Sequence, residues 1–374
     1  MKVVLFANTD WYLFNFRRSL ALALREAGHE VLLLSPDGPY GERLRALGLR
    51  WHPVSLRRRS LNPLREATFV FSLARLLRKE KPHVVHGFTL KCAIYGSLAA
   101  RAAGVSGRVN AVTGMGYVFT SGDYKARLLR PFVRALIRLT LDGKRARLIL
   151  QNPDDVNFFS THRLVDPDRI RLIPGSGVDC ERFRPGSPRA PGGPMRVVLP
   201  ARLLWDKGLA EYVAAARQLK GGERNIRFLL AGQPDPGNPA SVPEAIVERW
   251  VDEGVLERLG HVEDMPELFR SVDVVVLPSY REGLPKGLIE AGASGCALVT
   301  TDVPGCREVV TDGVDGLLIP AKQWDSLASA IARLYDEPEL RARLADAARQ
   351  KAKSQFDEKM VIQATLESYS EVCE

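Results

Sequence analysis

From Arg184 to Pro194 the chain reads Arg-Pro-Gly-Ser-Pro-Arg-Ala-Pro-Gly-Gly-Pro, a run whose residues can sustain neither helix nor strand. This break splits the 374 residues into two parts, each long enough to bury a core of its own. The same pattern stands on either side of it: a short apolar run, then a stretch of helical period, several times over. Such alternation marks open α/β sheets.

In the first part, strands are expected at Val3–Ala7, Glu30–Ser35, Pro82–Gly87, Arg108–Thr113, Arg147–Gln151 and Arg169–Ile173. Helices are expected at Phe16–Ala27, stopped by Gly28, and at Thr68–Lys79, Leu90–Ala103 and Ala126–Leu141. In the second part the strands are Arg196–Pro200, Ile226–Ala231 and Asp273–Leu277, and the helices Leu209–Leu219, Val242–Glu253 and Lys286–Ala293. Ligands of open parallel sheets lie beyond the carboxyl ends of the strands, so polar residues there are where a site is sought.

The net charge of +9 conceals an asymmetry. Residues 1–190 hold 32 Lys and Arg against 15 Asp and Glu, while the remainder holds 21 against 29. A basic first part suggests an anionic partner such as a membrane surface or a phosphate-bearing acceptor. No run approaches the roughly 18 apolar residues that span a bilayer. The opening Met1–Ala7, cut short by Asp10 and Arg17-Arg18, reads as a buried strand and not as a signal peptide. The five cysteines, Cys92, Cys180, Cys296, Cys306 and Cys373, contain no C-x-x-C pair. They suit neither a disulfide framework nor a zinc site and point to a reduced, cytoplasmic protein. The one D-x-D, Asp166-Pro167-Asp168, reads as turn chemistry and not as a metal site.

The densest chemistry follows the strand Asp273–Leu277. There a loop carries Glu282, and Pro285 suits the first turn of a helix carrying Glu290. Backbone N–H groups at such a helix start, those of Lys286 and Gly287 with Leu284 as a further donor, attract phosphate oxygens. Glu290, further along the helix, can accept both hydroxyls of a ribose, and Glu282 can meet sugar hydroxyls on the other side of a diphosphate. In isolation Glu282 reads equally as a solvated loop residue and Glu290 as a surface charge.

The segment Glu-Gly-Leu-Pro-Lys-Gly-Leu-Ile-Glu, residues 282–290, resembles the E-x(7)-E motif of glycosyltransferase family 4. The apolar strand ending in Pro278-Ser279 and the following Ala291–Thr301 stand in that family's order. Pro200-Ala201-Arg202-Leu203-Leu204-Trp205-Asp206-Lys207-Gly208 is similar to its G-R-x(4)-K-G segment, with Ala201 where glycine is usual. The resemblance implies that Arg202 grips the donor diphosphate through its planar fork and that Lys207 adds a point charge, stabilising the departing nucleoside diphosphate without a metal. Lys207 also has a plainer reading, pairing with Asp206 or capping the next helix.

By the same resemblance Gly283, Leu284, Lys286, Gly287 and Glu290 bind the donor, and Val262 reads the base with its backbone. His261 beside it reads as a packed or solvated residue. His86, at the expected end of its strand, is similar to a histidine that contacts the donor sugar, against the alternative of a packed histidine. Gly114 and Gly116 offer a turn where backbone can approach a phosphate. The loop Asn8-Thr9-Asp10-Trp11-Tyr12 lacks the family's usual glycine, which leaves Asp10 or Asn15 to face the acceptor.

The whole-chain likeness implies an α/β GT-B architecture of two facing Rossmann-like domains with a cleft between them. Its parts are an acceptor-side domain at 1–190, a nucleotide-sugar domain at 191–355, and a last helix at 356–374 crossing back. It further implies a retaining, metal-independent hexosyltransferase with no cofactor, moving a hexose or N-acetylhexosamine from a UDP-sugar. Family members that extend undecaprenyl-diphosphate-linked sugars look closest, through Gly114-Met115-Gly116-Tyr117 and the Arg202–Gly208 form of the donor motif. Lys125–Leu141 carries Arg127, Arg130, Arg134 and Arg138 opposite Leu128, Phe132, Leu136 and Leu139, a pattern suited to anionic headgroups, although Pro131 interrupts it and an arginine stripe is often a solvated face. Arg57-Arg58-Arg59 extends that surface, and peripheral attachment to the cytoplasmic face of the inner membrane follows. Two rivals stand beside this reading. A nucleotide-sugar epimerase needs an acid–base pair that does not stand out. A basic lipid- or nucleic-acid-binding protein leaves the Arg–Lys and Glu–Glu arrangement idle, and its stacking aromatics are sparse, so no nucleic-acid partner is expected.

Overall fold

The computed structural model describes residues 1–374 except 58–59, 61, 115–118, 120–123, 188–191, 236–237 and 374, and except the side chains of 125 and 126. Met115, Gly116, Tyr117, Arg58 and Arg59 therefore lie outside the described residues, as does part of the Pro/Gly break.

Two parallel sheets carry the chain. The first joins β1 (Lys2–Phe6), β2 (Glu30–Ser35), β3 (Arg50–Pro53), β4 (Val84–Phe88), β5 (Gly107–Ala111), β6 (Ala146–Leu150) and β7 (Ile170–Leu172) in the order β3-β2-β1-β4-β5-β6-β7. The second joins β8 (Met195–Pro200), β9 (Ile226–Ala231), β10 (Glu257–Gly260), β11 (Val274–Leu277), β12 (Ala297–Thr301) and β13 (Leu317–Ile319) in the order β10-β9-β8-β11-β12-β13. Every pairing in both sheets is parallel.

Parallel strands covered on both faces need apolar side chains in both directions, so they read as unbroken apolar runs. Val197, Leu199, Val274 and Val276 enter one core of the second sheet, and Val198, Val275 and Leu277 the other. In the first sheet Val3 and Leu5 separate from Val4 and Phe6 in the same way. The strand order reverses between β1 and β4 and again between β8 and β11. Such switch points open a crevice at the carboxyl ends of the two central strands.

The chain divides into one compact unit of residues 1–176 with 360–374 and another of 177–359. The boundary at 190 expected from the Pro/Gly run is thus displaced to 176/177. The cause is apolar: Val178, Cys180 and Phe183 are buried in the second unit's core. Val178 N–H donates to Phe356 O at 2.9 Å, and Glu358 N–H donates to Val178 O at 3.0 Å. The last helix, Glu358–Cys373, places Val361, Tyr369 and Val372 in the core of the first unit. Glu371 binds Arg147 and, at 2.6 Å, Arg171 there.

Candidate active site

At the switch point of the second sheet, β8 ends at Pro200 and β11 at Leu277, and the loops that leave them carry the residues singled out from the sequence. After β8 the chain makes a 3-10 turn, Trp205–Lys207, and enters the helix Leu209–Lys220 through Gly208. Gly208 has φ +75, and a Cβ on it would lie 2.2 Å from Pro278 O. Only glycine lets the two loops approach so closely. Tyr280 N–H then donates to Asp206 O at 2.9 Å.

The loop after β11 is held from its other side by β12 and the turn beyond it. Thr300 Oγ1 donates to Leu277 O at 2.6 Å, and Thr301 Oγ1 donates to Ser279 O. Glu282 N–H reaches Pro304 O at 3.3 Å. Gly305, with φ +83, leaves room for the Glu282 and Gly283 carbonyls, which a Cβ would meet at 2.7 and 2.6 Å. These fixings come from separate segments, and Pro304-Gly305 carries no sequence signal beyond that of an ordinary turn.

Within this frame Lys207 Nζ stands 2.5 Å from Glu282 Oε1, with the two side chains 17% and 14% exposed. The Asp206 pairing open to Lys207 on sequence grounds is replaced by this longer-range partner, and Glu282 is no solvated loop residue. On the helix Lys286–Ala293, Lys286 Nζ lies 3.5 Å from Glu290 Oε1. Burial raises the Glu290 carboxyl above the ordinary glutamate range, and the Lys286 charge pulls in the opposite direction. Among the described residues no side chain makes a capping hydrogen bond to this helix, whose N-cap position is Pro285. Its first N–H groups and the two lysines are donors of the kind that suit phosphate oxygens.

Arg202 stands apart from these pairs. It is 52% exposed and donates from Nη1 to Asp235 Oδ2 at 2.8 Å. Asp235 sits in the loop after β9, and nothing in its sequence surroundings singles it out. Val262 and Leu284 are partly buried against the core that contains Ile289 and Leu288. Gly287 is open, with no atom closer than Pro200 O at 4.0 Å to a Cβ placed there.

His86 belongs to the first unit, unlike the donor-side residues above, and its surroundings differ from the expected strand end. β4 runs on to Phe88, so His86 lies inside the strand, and it is 1% exposed. Its Nδ1 is 2.7 Å from Tyr369 Oη of the last helix, and its ring lies 4.0 Å from that of Phe88. Burial, and then the Arg17 charge, hold its pKa well below the ordinary range, so the ring is neutral. Asp10 is also buried; its carboxylate accepts N–H bonds from Trp11, Tyr40 and Gly41 and anchors a loop. Asp166 accepts from Asp168 N–H at 3.2 Å, the turn expected of it. Among the described residues no three His, Cys, Asp or Glu converge on a common point.

Residues 15–175 match the model of the glycosyl transferase 4-like domain, and residues 182–351 that of glycosyl transferases group 1. An N,N'-diacetylbacillosaminyl-diphospho-undecaprenol alpha-1,3-N-acetylgalactosaminyltransferase of Campylobacter jejuni is 29% identical over 383 residues, covering 100% of this chain and 99% of its own. A UDP-Gal:alpha-D-GlcNAc-diphosphoundecaprenol alpha-1,3-galactosyltransferase of Escherichia coli is 28% identical over 298 residues, 75% of this chain and 73% of its own. Among solved structures, Anabaena HepE in complex with UDP superposes with a TM-score of 0.80 at 19% identity, covering 99% of this chain and 100% of its own. Two parallel sheets with this likeness define a GT-B fold. The chain belongs to the family 4 glycosyltransferases and is a hexosyltransferase, which decides for sugar transfer over the epimerase and the binding protein.

Proposed function

We propose that this enzyme moves a hexose or N-acetylhexosamine from a UDP-sugar to an undecaprenyl-diphosphate-linked sugar in bacterial glycan assembly, with retention of configuration and without a metal. The observation that carries the reading is the pairing of Lys207 with Glu282 and of Lys286 with Glu290 around the loops leaving β8 and β11. Two lysines and an uncapped helix start can take up the charge of a departing diphosphate. Glu290 suits the nucleotide ribose and Glu282 the transferred sugar; Arg202 reaches the diphosphate by exchanging Asp235 for a phosphate. With donor and acceptor so held, the acceptor hydroxyl attacks the face from which the diphosphate leaves, and no side chain has to be a strong base. The named activities of both relatives, transfer to diphospho-undecaprenol-linked sugars, support the acceptor class. HepE, solved with UDP, supports the nucleotide.

The acceptor class also calls for contact with a bilayer. No helix among the described residues is long and apolar enough to cross a membrane. The helix Tyr124–Leu141 continues through Pro131 and leaves Leu128, Phe132 and Leu139 exposed. Its arginines are not one solvated stripe. Arg138 donates to the carbonyls of His162 and Arg163, both at 2.9 Å, and Arg134 Nε is buried. Exposed apolar side chains with basic residues around them suit peripheral attachment to an anionic surface on the cytoplasmic side.

The test is product analysis with UDP-GalNAc, UDP-Gal and UDP-Glc, each with and without an undecaprenyl-diphosphate-linked sugar. Release of UDP that requires the acceptor, an α-linked product by proton coupling constants, and full rate in EDTA are expected. UDP release indifferent to the acceptor, a β-linked product or loss of rate in EDTA each removes the corresponding part of the reading.

A further inference from the structure

We propose that Tyr280 is a positioning residue for the Lys207–Glu282 pair, acting by tying the loop that carries Glu282 to both flanks of Lys207; this rests on the reading of that pair as part of the transfer machinery. Tyr280 lies two residues before Glu282. Its backbone N–H donates to Asp206 O at 2.9 Å, immediately before Lys207. Its hydroxyl donates to Glu211 Oε1 at 2.8 Å, four residues beyond Lys207 and in the first turn of the helix Leu209–Lys220. One residue thus bridges the segment on either side of the lysine. Lys322 Nζ, 4.9 Å from the ring centroid, holds the ring from another side.

The hydroxyl is the sensitive part of this bridge. Burial, and then the Glu211 carboxylate, push the phenol above its ordinary range, which favours the O–H form that donates to Glu211. Glu211 Oε2 is buried and has no hydrogen-bond partner among the described residues. Removing the Tyr280 hydroxyl would therefore leave a half-buried carboxylate without this donor, and such a group moves toward water or draws a nearby cation. Either response displaces the start of the helix that follows Lys207. Catalytic groups tolerate little displacement, because a shift of about 1 Å can cost on the order of a hundredfold in rate.

The experiment compares Tyr280→Phe, Glu211→Gln and Glu211→Ala for turnover and donor KM, with melting temperatures for each, and repeats Tyr280→Phe in a Glu282→Gln background. Tyr280→Phe and Glu211→Ala are expected to lower kcat about tenfold with donor KM within about twofold. Glu211→Gln, which keeps an acceptor oxygen for the hydroxyl, is expected to retain most of the activity. In the Glu282→Gln background the Tyr280→Phe change is expected to add no further loss, since its effect passes through the pair. Wild-type kcat in Tyr280→Phe, or a full multiplicative loss in the double variant, overturns the proposal while leaving the pair's role intact. Wild-type turnover in Glu282→Gln alone overturns the reading of the pair itself, and this proposal with it.

Discussion

Lys207 Nζ and Glu282 Oε1 stand 2.5 Å apart although 75 positions separate the two residues. The contact joins the loops that leave β8 and β11, the two strands between which the sheet order reverses. Both side chains are mostly buried, so the pair has been taken partly out of water and its geometry is fixed by the loops. On the proposed reading an incoming diphosphate would compete with Glu282 for Lys207, and a sugar hydroxyl would take up the released carboxylate. Lys207→Ala is expected to lower kcat by about two to three orders of magnitude, the usual loss for one charge-stabilising donor. Lys207→Arg, longer and planar, should recover little of it. Single-turnover rates with saturating donor provide the check, and near-wild-type rates for Lys207→Ala would exclude the role.

Glu290 makes a prediction in pH. Its pKa is raised in the folded protein, chiefly by burial, so the carboxylate form proposed to accept two ribose hydroxyls is lost in mild acid sooner than for an ordinary glutamate. Donor affinity should fall as pH drops through that raised value, and in Glu290→Gln the fall should be absent and the affinity uniformly weaker. The same shift has the opposite sign for stability. The ionised form is disfavoured in the fold, so its penalty is absent below the unfolded-state value, appears as pH rises through the window up to the folded value, and persists above it. Calorimetric titration of UDP across this window tests the first effect, and the melting temperature of wild type against Glu290→Gln the second.

Gly208 carries no chemistry and is nevertheless expected to be among the least replaceable residues of the site. Gly208→Ala has to place a Cβ 2.2 Å from Pro278 O at φ +75. The left-handed backbone alone costs about 1–2 kcal/mol for a side-chain-bearing residue, and the carbonyl cannot withdraw without moving the loop that carries Glu282. Lower melting temperature together with loss of turnover is the expected outcome; a variant stable and active as wild type would mean the two loops are not locked.

How far the sequence led depends on which interactions are local. Strands β1, β8 and β11 are continuous apolar runs because both their faces are covered, and such runs are visible without a structure. β3, Arg50–Pro53, buries only Trp51 and offers no pattern at all. The Glu282 and Glu290 spacing was legible because one loop and one helix carry both. Asp235, Tyr280, Glu211 and Gly305 were not, because their partners sit on other strands or helices and no spacing relates them. His86 shows the converse case. A polar residue near a strand end looks like a ligand contact until the strand proves to continue past it, and the last helix, distant in sequence, covers the ring with Tyr369.

That burial gives His86 a separable test. With its ring between Phe88 and Tyr369, His86→Ala removes packing and strands the Tyr369 hydroxyl, and a loss of about 2–4 kcal/mol of stability is expected. Its folded pKa is depressed, so the unfolded chain binds the proton more readily, and the contribution present above the ordinary histidine value is lost as pH falls through it toward the folded value. His86→Phe should abolish that dependence. Donor KM measured well below the melting temperature should be unchanged in both variants; a large rise in KM without loss of stability would restore the sugar contact expected from the sequence.

The bilayer reading turns on side chains that face water in the isolated protein. Leu128 and Phe132 are one helical turn apart on Tyr124–Leu141, and both are more than 60% exposed. Burying such a pair in the acyl boundary is worth roughly 25 cal/mol for each Å² of apolar surface removed from water, enough to dominate a weak peripheral contact. The charge term should act beside it and be screened by salt, since exposed arginines such as Arg127 interact over about 8–10 Å at physiological ionic strength. Co-sedimentation with phosphatidylglycerol vesicles should therefore exceed that with phosphatidylcholine, weaken as salt rises, and fall about tenfold or more in Leu128→Ser/Phe132→Ser. Turnover of a short-chain, water-soluble acceptor should be unaffected by that double change, because neither residue is assigned to donor or sugar. Equal binding to both vesicle types, or undiminished binding by the double variant, would remove this helix from the membrane contact.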